Sequence, residues 1–255
     1  MSKRLYVIIL AAIVLAVVFV YPFVLLAGNS LINDGKVSLS QYYELLVENY
    51  PFMYHFWVSV LYAIAITAVI IVISVPAAHF FAKVEWKGRD AVFFVYIIMM
   101  MMPYQVLVVP LYRQFSDYGL GGSPLAVILP ACFQPFWVFM LRQYAKSIPD
   151  SLIDSMRLET NSVFTYFRYL IIPMLGDCIT ALAVLSFAEC WNMFEPPLIM
   201  LTRKELLPIP VVISKLLETD SGLVFSSGVI YMIPAIILFI GTRRKLEKGV
   251  EVMKW

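Results

Sequence analysis

Charge is scarce in this chain: only 14% of its 255 residues are Asp, Glu, Lys or Arg, against 62% hydrophobic. With a mean hydropathy of +0.85, so much apolar side chain cannot be hidden in one water-soluble core. A freely soluble domain is excluded. Histidine and cysteine are scarce too. His55 and His79 lie far apart with no carboxylate at metal-ligand spacing, so no metal site is expected. Cys132, Cys178 and Cys190 sit in or beside apolar stretches without paired spacing and read as small core residues. The chain has no His-Glu-x-x-His, no Gly-x-Ser-x-Gly and no Gly-rich loop ending in Lys-Ser/Thr. Catalysis is therefore not expected and no cofactor is expected in this chain; any ATP-driven process needs a separate nucleotide-binding subunit. Alternating segments of about ten residues, which a transmembrane β-barrel requires, are missing as well.

What is present is a series of long apolar runs. A hydrocarbon core about 30 Å thick needs roughly 20 apolar residues per helix. Runs meeting this cover about 5–28, 56–82, 91–112, 120–141, 170–194 and 222–242, the fifth interrupted by Asp177 and Glu189. Six spans in one membrane domain, 1–255, are expected. The first run follows Ser2-Lys3-Arg4 and could serve as a secretory signal, but it is long for one and Leu25-Leu26-Ala27-Gly28-Asn29 is a poor cleavage site. Lysine and arginine set the orientation. Fourteen of the 19 (Lys3, Arg4, Lys83, Lys87, Arg89, Arg142, Lys146, Arg157, Arg168, Arg243, Arg244, Lys245, Lys248, Lys254) fall on one side, five (Lys36, Arg113, Arg203, Lys204, Lys215) on the other. Both termini and the loop 146–168 are thus expected in the cytoplasm of a bacterial-type cell. The net charge of +2 reflects topology and does not suggest nucleic acid.

Between the runs, Ser40, Tyr43, Leu46 and Val47 have helical spacing and suggest a short amphipathic helix at the outer surface. Residues 196–221 contain Pro208 and Pro210, which should force extended backbone, and form either a binding loop or a plain connector. Pro76, Pro103, Pro110, Pro130, Pro135 and Pro234 lie inside the runs. Each removes a backbone donor that lipid cannot replace, and broken helices around a central path are common in transporters. Glu189 must face a wet cavity or a partner if it is deep, since a carboxylate at the bilayer centre costs about 2.5–3.5 kcal/mol. At the outer interface it would instead sit beside Trp191 in an aromatic belt. Gln105, Gln134, Trp137 and Asn192 could line a pathway with them, because aromatic faces with amides and a carboxylate suit sugars. Alternatively these polar groups hydrogen-bond between helices.

The sharpest local signal is polar. Arg142–Arg168 carries seven charges between two apolar runs. Ser147 can cap a helix with Pro149 in its first turn and Asp150 three residues on. Ile153, Met156 and Leu158 give that helix an apolar side. A second start at Thr160-Asn161-Ser162 leads through Val163, Phe164 and Phe167 to a stop at Pro173. Two short helices joined by a tight turn fit helix-in-groove docking.

These residues carry a resemblance. Ile148-Pro149-x₄-Asp154-Ser155-Met156-x-x-Glu159-Thr160-Asn161-x₅-Phe167-x₃-Ile171-x-Pro173 resembles the coupling-loop signature of ABC importer permeases, Glu-Ala-Ala-x-x-Asp-Gly-Ala followed by Leu-Pro. Spacing matches better than identity: Asp154 stands for the Glu, Ser155 and Met156 for the alanines, Glu159 for the Asp and Thr160 for the Gly. Pro76-Ala77-Ala78-His79-Phe80-Phe81-Ala82-Lys83, Met102-Pro103-Tyr104-Gln105-Val106-x₃-Pro110-Leu111-Tyr112 and Trp191-Asn192-Met193-Phe194-x₂-Pro197-Leu198 resemble further stretches of the carbohydrate-uptake group, in particular its second, maltose-type permease. The resemblance implies an all-α type I ABC importer permease with six transmembrane helices and a cytoplasmic coupling loop between spans 4 and 5. It implies a homologous permease partner, two nucleotide-binding subunits that hold ATP and Mg²⁺, and an extracytoplasmic binding protein. Pro149, Asp150, Ile153, Asp154, Ser155, Met156, Leu158, Glu159, Thr160, Asn161 and Phe164 would then contact the ATPase, and the tail 243–255 could reach it. A non-sugar cargo (sugar phosphate, glycan fragment or peptide) is the alternative; a membrane enzyme or channel is a third. Because β-branched Thr160 resists positive φ, Asn161 is expected to take the left-handed or capping position.

Overall fold

The computed structural model describes residues 3–33, 35–48, 51–219 and 221–251. The last four residues of the expected tail, 252–255, lie outside the described residues. Helix α1 runs Lys3–Ser30 and is followed by a two-rung hairpin of β1 (Ile32–Asn33) and β2 (Lys36–Val37), which turns through Gly35 at φ 74°. Next come α2 (Ser40–Tyr43), extended by a π-helical turn to Glu48, and α3 (Phe52–Lys83). Helices α4 (Arg89–Ile98), α5 (Tyr104–Asp117), α6 (Pro124–Cys132) and α7 (Pro135–Ala145) follow. The polar stretch forms α8 (Asp150–Glu159) and α9 (Val163–Tyr166), and α9 continues through a π-helical turn into α10 (Ile172–Met174). The chain closes with α11 (Gly176–Trp191), α12 (Glu195–Met200), α13 (Ile209–Thr219) and α14 (Ser221–Glu251).

Among the described residues, Ile8–Ser30, Phe52–Lys83, Pro124–Ala145 and Gly222–Arg243 are each long and apolar enough to cross a membrane. Two bent pairs raise the number to six if each pair is one span: Arg89–Met101 with Tyr104–Asp117, bent by 94°, and Val163–Met174 with Gly176–Trp191, bent by 78°. The run expected at 170–194 is therefore divided at Leu175, and its helix ends at Trp191. Proline acts unevenly. Met102, just before Pro103, is extended (ψ 119°), and so is Gln134 before Pro135 (ψ 123°), as pre-proline sterics favour. Pro76, Pro110, Pro130 and Pro234 instead ride inside helices. Pro210 stands in the first turn of α13, where a missing N–H costs nothing, so the extended backbone expected there is confined to the residues before Ile209.

The contacts divide the chain into two compact units, residues 1–56 with 209–235 and residues 57–208 with 236–255. In the first, Gln41 Nε2 donates to the Ile32 carbonyl (2.7 Å) and Tyr42 Oη to Ser30 Oγ (2.8 Å), fixing α2 beneath the hairpin. Leu45 is buried there, whereas Tyr43, Leu46 and Val47, the expected apolar face, are exposed. In the second unit the core is built on Ile66, Ile70, Leu141, Leu175, Leu182 and Trp191, with a buried Ser186–Thr67 hydrogen bond (3.3 Å) between α11 and α3.

Gly122 is a position where this unit tolerates no side chain. It has φ 76°, and a Cβ there would collide with Thr202 Oγ1, whereas a Cβ on Gly176 at the start of α11 meets nothing. Gly122→Ala should therefore destabilise by about 1–3 kcal/mol, and Gly176→Ala should change stability by less than about 1 kcal/mol. Thermal unfolding of the two variants in detergent compares them; equal midpoints would overturn the assignment.

Candidate functional site around the α8–α9 turn

Helix α8 is fixed by a cation on another element. Lys83, the last residue of α3, donates from Nζ to the Ile148 carbonyl (2.6 Å), to Asp150 Oδ1 (2.8 Å) and to the Lys146 carbonyl (3.4 Å). Its side chain is 8% exposed. The contacts hold the turn Lys146–Pro149 between α7 and α8. Arg142 makes a second clamp near the end of α7: Nε donates to the Phe81 carbonyl (3.0 Å), Nη2 to Asp90 Oδ1 (2.7 Å), and its guanidinium lies 3.8 Å from the centre of the Phe93 ring. The ends of α3, α4 and α7 thus converge on two buried cations, both of which also entered the count that sets orientation. Lys146 lies outside the spans, and burial pulls its ammonium below the usual lysine range, with Arg142 nearby acting in the same direction.

Pro149 is the N-cap of α8 (φ −61°, ψ 134°), and the helix begins at Asp150. The expected capping role of Ser147 is not realised; its hydroxyl turns back to the Tyr144 carbonyl (2.7 Å) at the end of α7. Ile153 is buried and Met156 half-buried, so these two form the inward stripe. Leu158 does not belong to it: five residues from Ile153, it lies on the opposite side, 91% exposed. Asp154, Ser155 and Glu159 are exposed with it, Ser155 Oγ bonding the Ser151 carbonyl (2.8 Å).

The turn solves the missing glycine with a side chain. Thr160 is extended (φ −148°, ψ 140°), and its Oγ1 accepts from the Ser162 N–H (3.1 Å). The N-cap of α9 is Ser162, whose Oγ accepts from the Thr165 N–H (3.3 Å). The cap expected at Asn161 thus falls one residue later. Beyond it Val163 and Phe164 point outward (71% and 70% exposed), and Tyr166 is buried with its hydroxyl 3.2 Å from His79 Nε2. Leu158, Val163 and Phe164 are thus exposed apolar side chains of this turn, and Asp154 and Glu159 are exposed on α8.

Of the residues expected to line a pathway, Gln105, Gln134 and Asn192 stand at breaks between helices, whereas Trp137, Glu189 and Trp191 lie within helices. Gln105 follows the α4–α5 break and donates to Glu195 Oε2 (3.3 Å) at the start of α12. Gln134 occupies the α6–α7 break, its amide interacting with the Glu189 carboxyl of α11. Glu189 and Asn192 are exposed, and Asn192 Nδ2 donates back to the Ala188 carbonyl (2.7 Å). Trp137 and Trp191 are not surface aromatics: they are 2% and 1% exposed, Trp191 lies parallel to Phe187, and the Trp137 indole N–H has no partner among the described residues. The belt position considered for Trp191 is thus replaced by a core position.

The family described as binding-protein-dependent transport system inner membrane component matches residues 70–252. The chain belongs to this family. It is a permease component of a membrane transport system. The matched region takes in both cation clamps, the α8–α9 turn and the broken helices. The permease is 28% identical over 229 residues, 88% of its own length and 82% of the relative's, to the arabinooligosaccharides transport system permease protein AraQ of Halalkalibacterium halodurans. It is also 28% identical over 197 residues, 76% and 72% of the two chains, to the lactose transport system permease protein LacG of Rhizobium radiobacter. The fold is that of a chain in the crystal structure of a bacterial ABC transporter involved in the import of the acidic polysaccharide alginate: TM-score 0.82, 18% identity, 96% of the permease and 98% of that chain covered.

His79, Lys83, Asp90, Arg142 and Tyr166 were not singled out as site residues by sequence, although Lys83 and Arg142 each stand alone at the polar end of an apolar run. For Lys83 the backbone bonds should matter more than the ion pair, because Asp150 is 80% exposed and the Ile148 residue is buried. Lys83→Met leaves a buried carbonyl unpaired and should cost about 1–3 kcal/mol. Asp150→Ala should cost under about 1 kcal/mol. Equal shifts in the unfolding midpoint would show that the ion pair dominates.

Proposed function

We propose that this permease is one half of the translocation pathway of an ATP-driven importer for a sugar or oligosaccharide. In this reading six spans carry the pathway, both termini and the α8–α9 turn face the cytoplasm, and the chain itself is not catalytic. ATP and Mg²⁺ are held by two separate nucleotide-binding subunits. A second, homologous permease completes the pathway, and an extracytoplasmic binding protein delivers the cargo. The observation that carries the coupling role is the set of apolar side chains Leu158, Val163 and Phe164, exposed on a turn whose inner side is held by Lys83, Ile153 and Tyr166. Exposed apolar side chains on a rigid support suit insertion into a groove of a partner. The names of AraQ and LacG, together with the amides at the helix breaks and the carboxyls they meet, support a carbohydrate cargo. Gln105, Gln134, Glu189 and Asn192 are the groups this reading places on the pathway, with Trp137 and Trp191 packed behind them. Closure of the ATPase dimer would move the turn and, through the clamps, the ends of α3, α4 and α7, as alternating access requires.

Two variants test the docking surface. Leu158→Glu and Phe164→Ser alter exposed side chains and should leave the permease folded. Each should reduce the nucleotide-binding subunit that co-purifies by tenfold or more, as hot-spot losses of about 2 kcal/mol imply. Charge reversal at Asp154 and Glu159 together should separate ATP hydrolysis from sugar uptake in proteoliposomes. Undiminished co-purification with undiminished uptake would overturn the coupling role. Thermal-shift screening of the cognate binding protein against a sugar panel tests the cargo, and a response only to peptides or sugar phosphates would overturn the carbohydrate assignment.

A further inference from the structure

A cavity of about 830 Å³ opens beside the turn, between the end of α3 and the start of α9, within one compact unit. Its size falls within the roughly 300–1,000 Å³ usual for ligand sites. Its two walls differ in chemistry. The wall on α3 is apolar, from Pro76, Ala77, Phe80 and Phe81. The facing wall is mixed: Arg157, Thr160, Asn161 and Ser162 at the α8–α9 turn are polar, and Val163, Tyr166 and Phe167 of α9 and its π-helical extension continue it with apolar and aromatic side chains. His79 lies on the α3 side. It is 6% exposed; its Nε2 meets the Tyr166 hydroxyl at 3.2 Å, and its Nδ1 is buried without a partner. Arg157 makes no ion pair among the described residues.

Depth narrows the choice of ligand. Helix α3 has 32 residues, whereas the hydrocarbon core needs about 20. Centred in the bilayer, it projects about six residues at each end, so the segment from Ala78 onward stands at headgroup depth. Phe80 is 43% exposed at the rim, continuing the apolar surface of a spanning helix toward the cavity. A ligand with an anionic, hydrogen-bonding head and an apolar tail matches both walls, and a bilayer supplies it at that depth. We propose that this cavity is a binding site for an anionic phospholipid of the cytoplasmic leaflet. The headgroup phosphate is held by Arg157 and the turn residues Asn161 and Ser162, and the acyl chains lie along Pro76, Ala77 and Phe80. Such a lipid would bridge α3 to the docking turn. The assignment rests on the cytoplasmic placement of the turn given above.

The test uses the permease co-expressed with its partner subunits, purified in detergent, stripped of lipid, then titrated with phosphatidylglycerol or phosphatidylcholine. Native mass spectrometry counts the lipid retained, and thermal unfolding reports its effect. Phosphatidylglycerol should be retained and should raise the midpoint; phosphatidylcholine should do neither. Arg157→Gln should lower phosphatidylglycerol retention at least fivefold and Arg157→Lys should keep most of it, while unliganded unfolding and co-purification of the ATPase show that fold and assembly survive. Equal retention by wild type and Arg157→Gln would overturn the proposal. So would an equal midpoint rise with glycerol phosphate, which would mean a soluble anion is the ligand, or retention by the isolated permease but not by the complex, which would mean a partner chain fills the cavity. Loss of lipid with the ATPase still bound would leave the importer reading standing.

Discussion

The three hydrogen bonds from Lys83 decide where the docking turn sits. The four-residue link between α7 and α8, Lys146–Pro149, is a turn whose carbonyls would otherwise compete for water at a membrane surface. One ammonium group meets two of them and the first carboxylate of α8. Because the amine ends the longest uninterrupted span of the second unit, α8 is referred to α3 rather than to the flexible link. Arg142 does the same for α7, reaching α3 through Phe81 and α4 through Asp90. Both cations give up water for several partners each, which is the condition under which a buried charge is tolerated.

The turn itself departs from the usual family pattern and reaches its shape by other means. Glycine would give free access to positive φ. Thr160 takes the opposite course, staying extended and using its hydroxyl to hold the Ser162 N–H, after which Ser162 caps α9. Two side-chain hydrogen bonds replace one permissive backbone. The consequence is a stiffer turn, since Ser/Thr turns fix the chain where glycine leaves it mobile. Stiffness would suit the proposed coupling role, in which the turn transmits displacement instead of absorbing it.

Much of this was legible in the sequence, and the failures have physical causes. Apolar run length located four helices long and apolar enough to cross a membrane and two bent pairs, because it depends only on bilayer thickness. The polar stretch was readable as two helices because Pro149 and Ser162 act on their immediate neighbours. What local chemistry could not decide was which prolines break a helix. Each of the six exerts the same steric effect, yet Pro103 and Pro135 follow extended residues while Pro76, Pro110, Pro130 and Pro234 stay helical. The outcome depends on neighbouring helices that re-satisfy the freed groups, and those neighbours come from distant sequence. Leu158 was misassigned for a simpler reason: a helix turns about 100° per residue, so five positions from Ile153 is nearly the opposite face. Lys83 and Arg142 carried a second meaning that a count of charges per side could not register.

Helix α7 joins the two ends of this argument. It has 11 residues, about 16 Å long. At its N-terminal break stands Gln134, facing Glu189 on α11; toward its other end Arg142 is tied to α3 and α4, and past Ala145 the link is held by Lys83. A rigid helix clamped at one end cannot move there without moving at the other. If the docking turn shifts with a partner, the clamps oblige α7 to shift or tilt, and the Gln134–Glu189 pair is where that displacement emerges. The proposed pathway groups therefore need no long relay of side chains to sense the turn; one short helix with a polar break at its far end suffices. It also fits the placement of Gln105, Gln134 and Asn192 at helix breaks, since unwound backbone is where a small tilt changes which groups face a pathway.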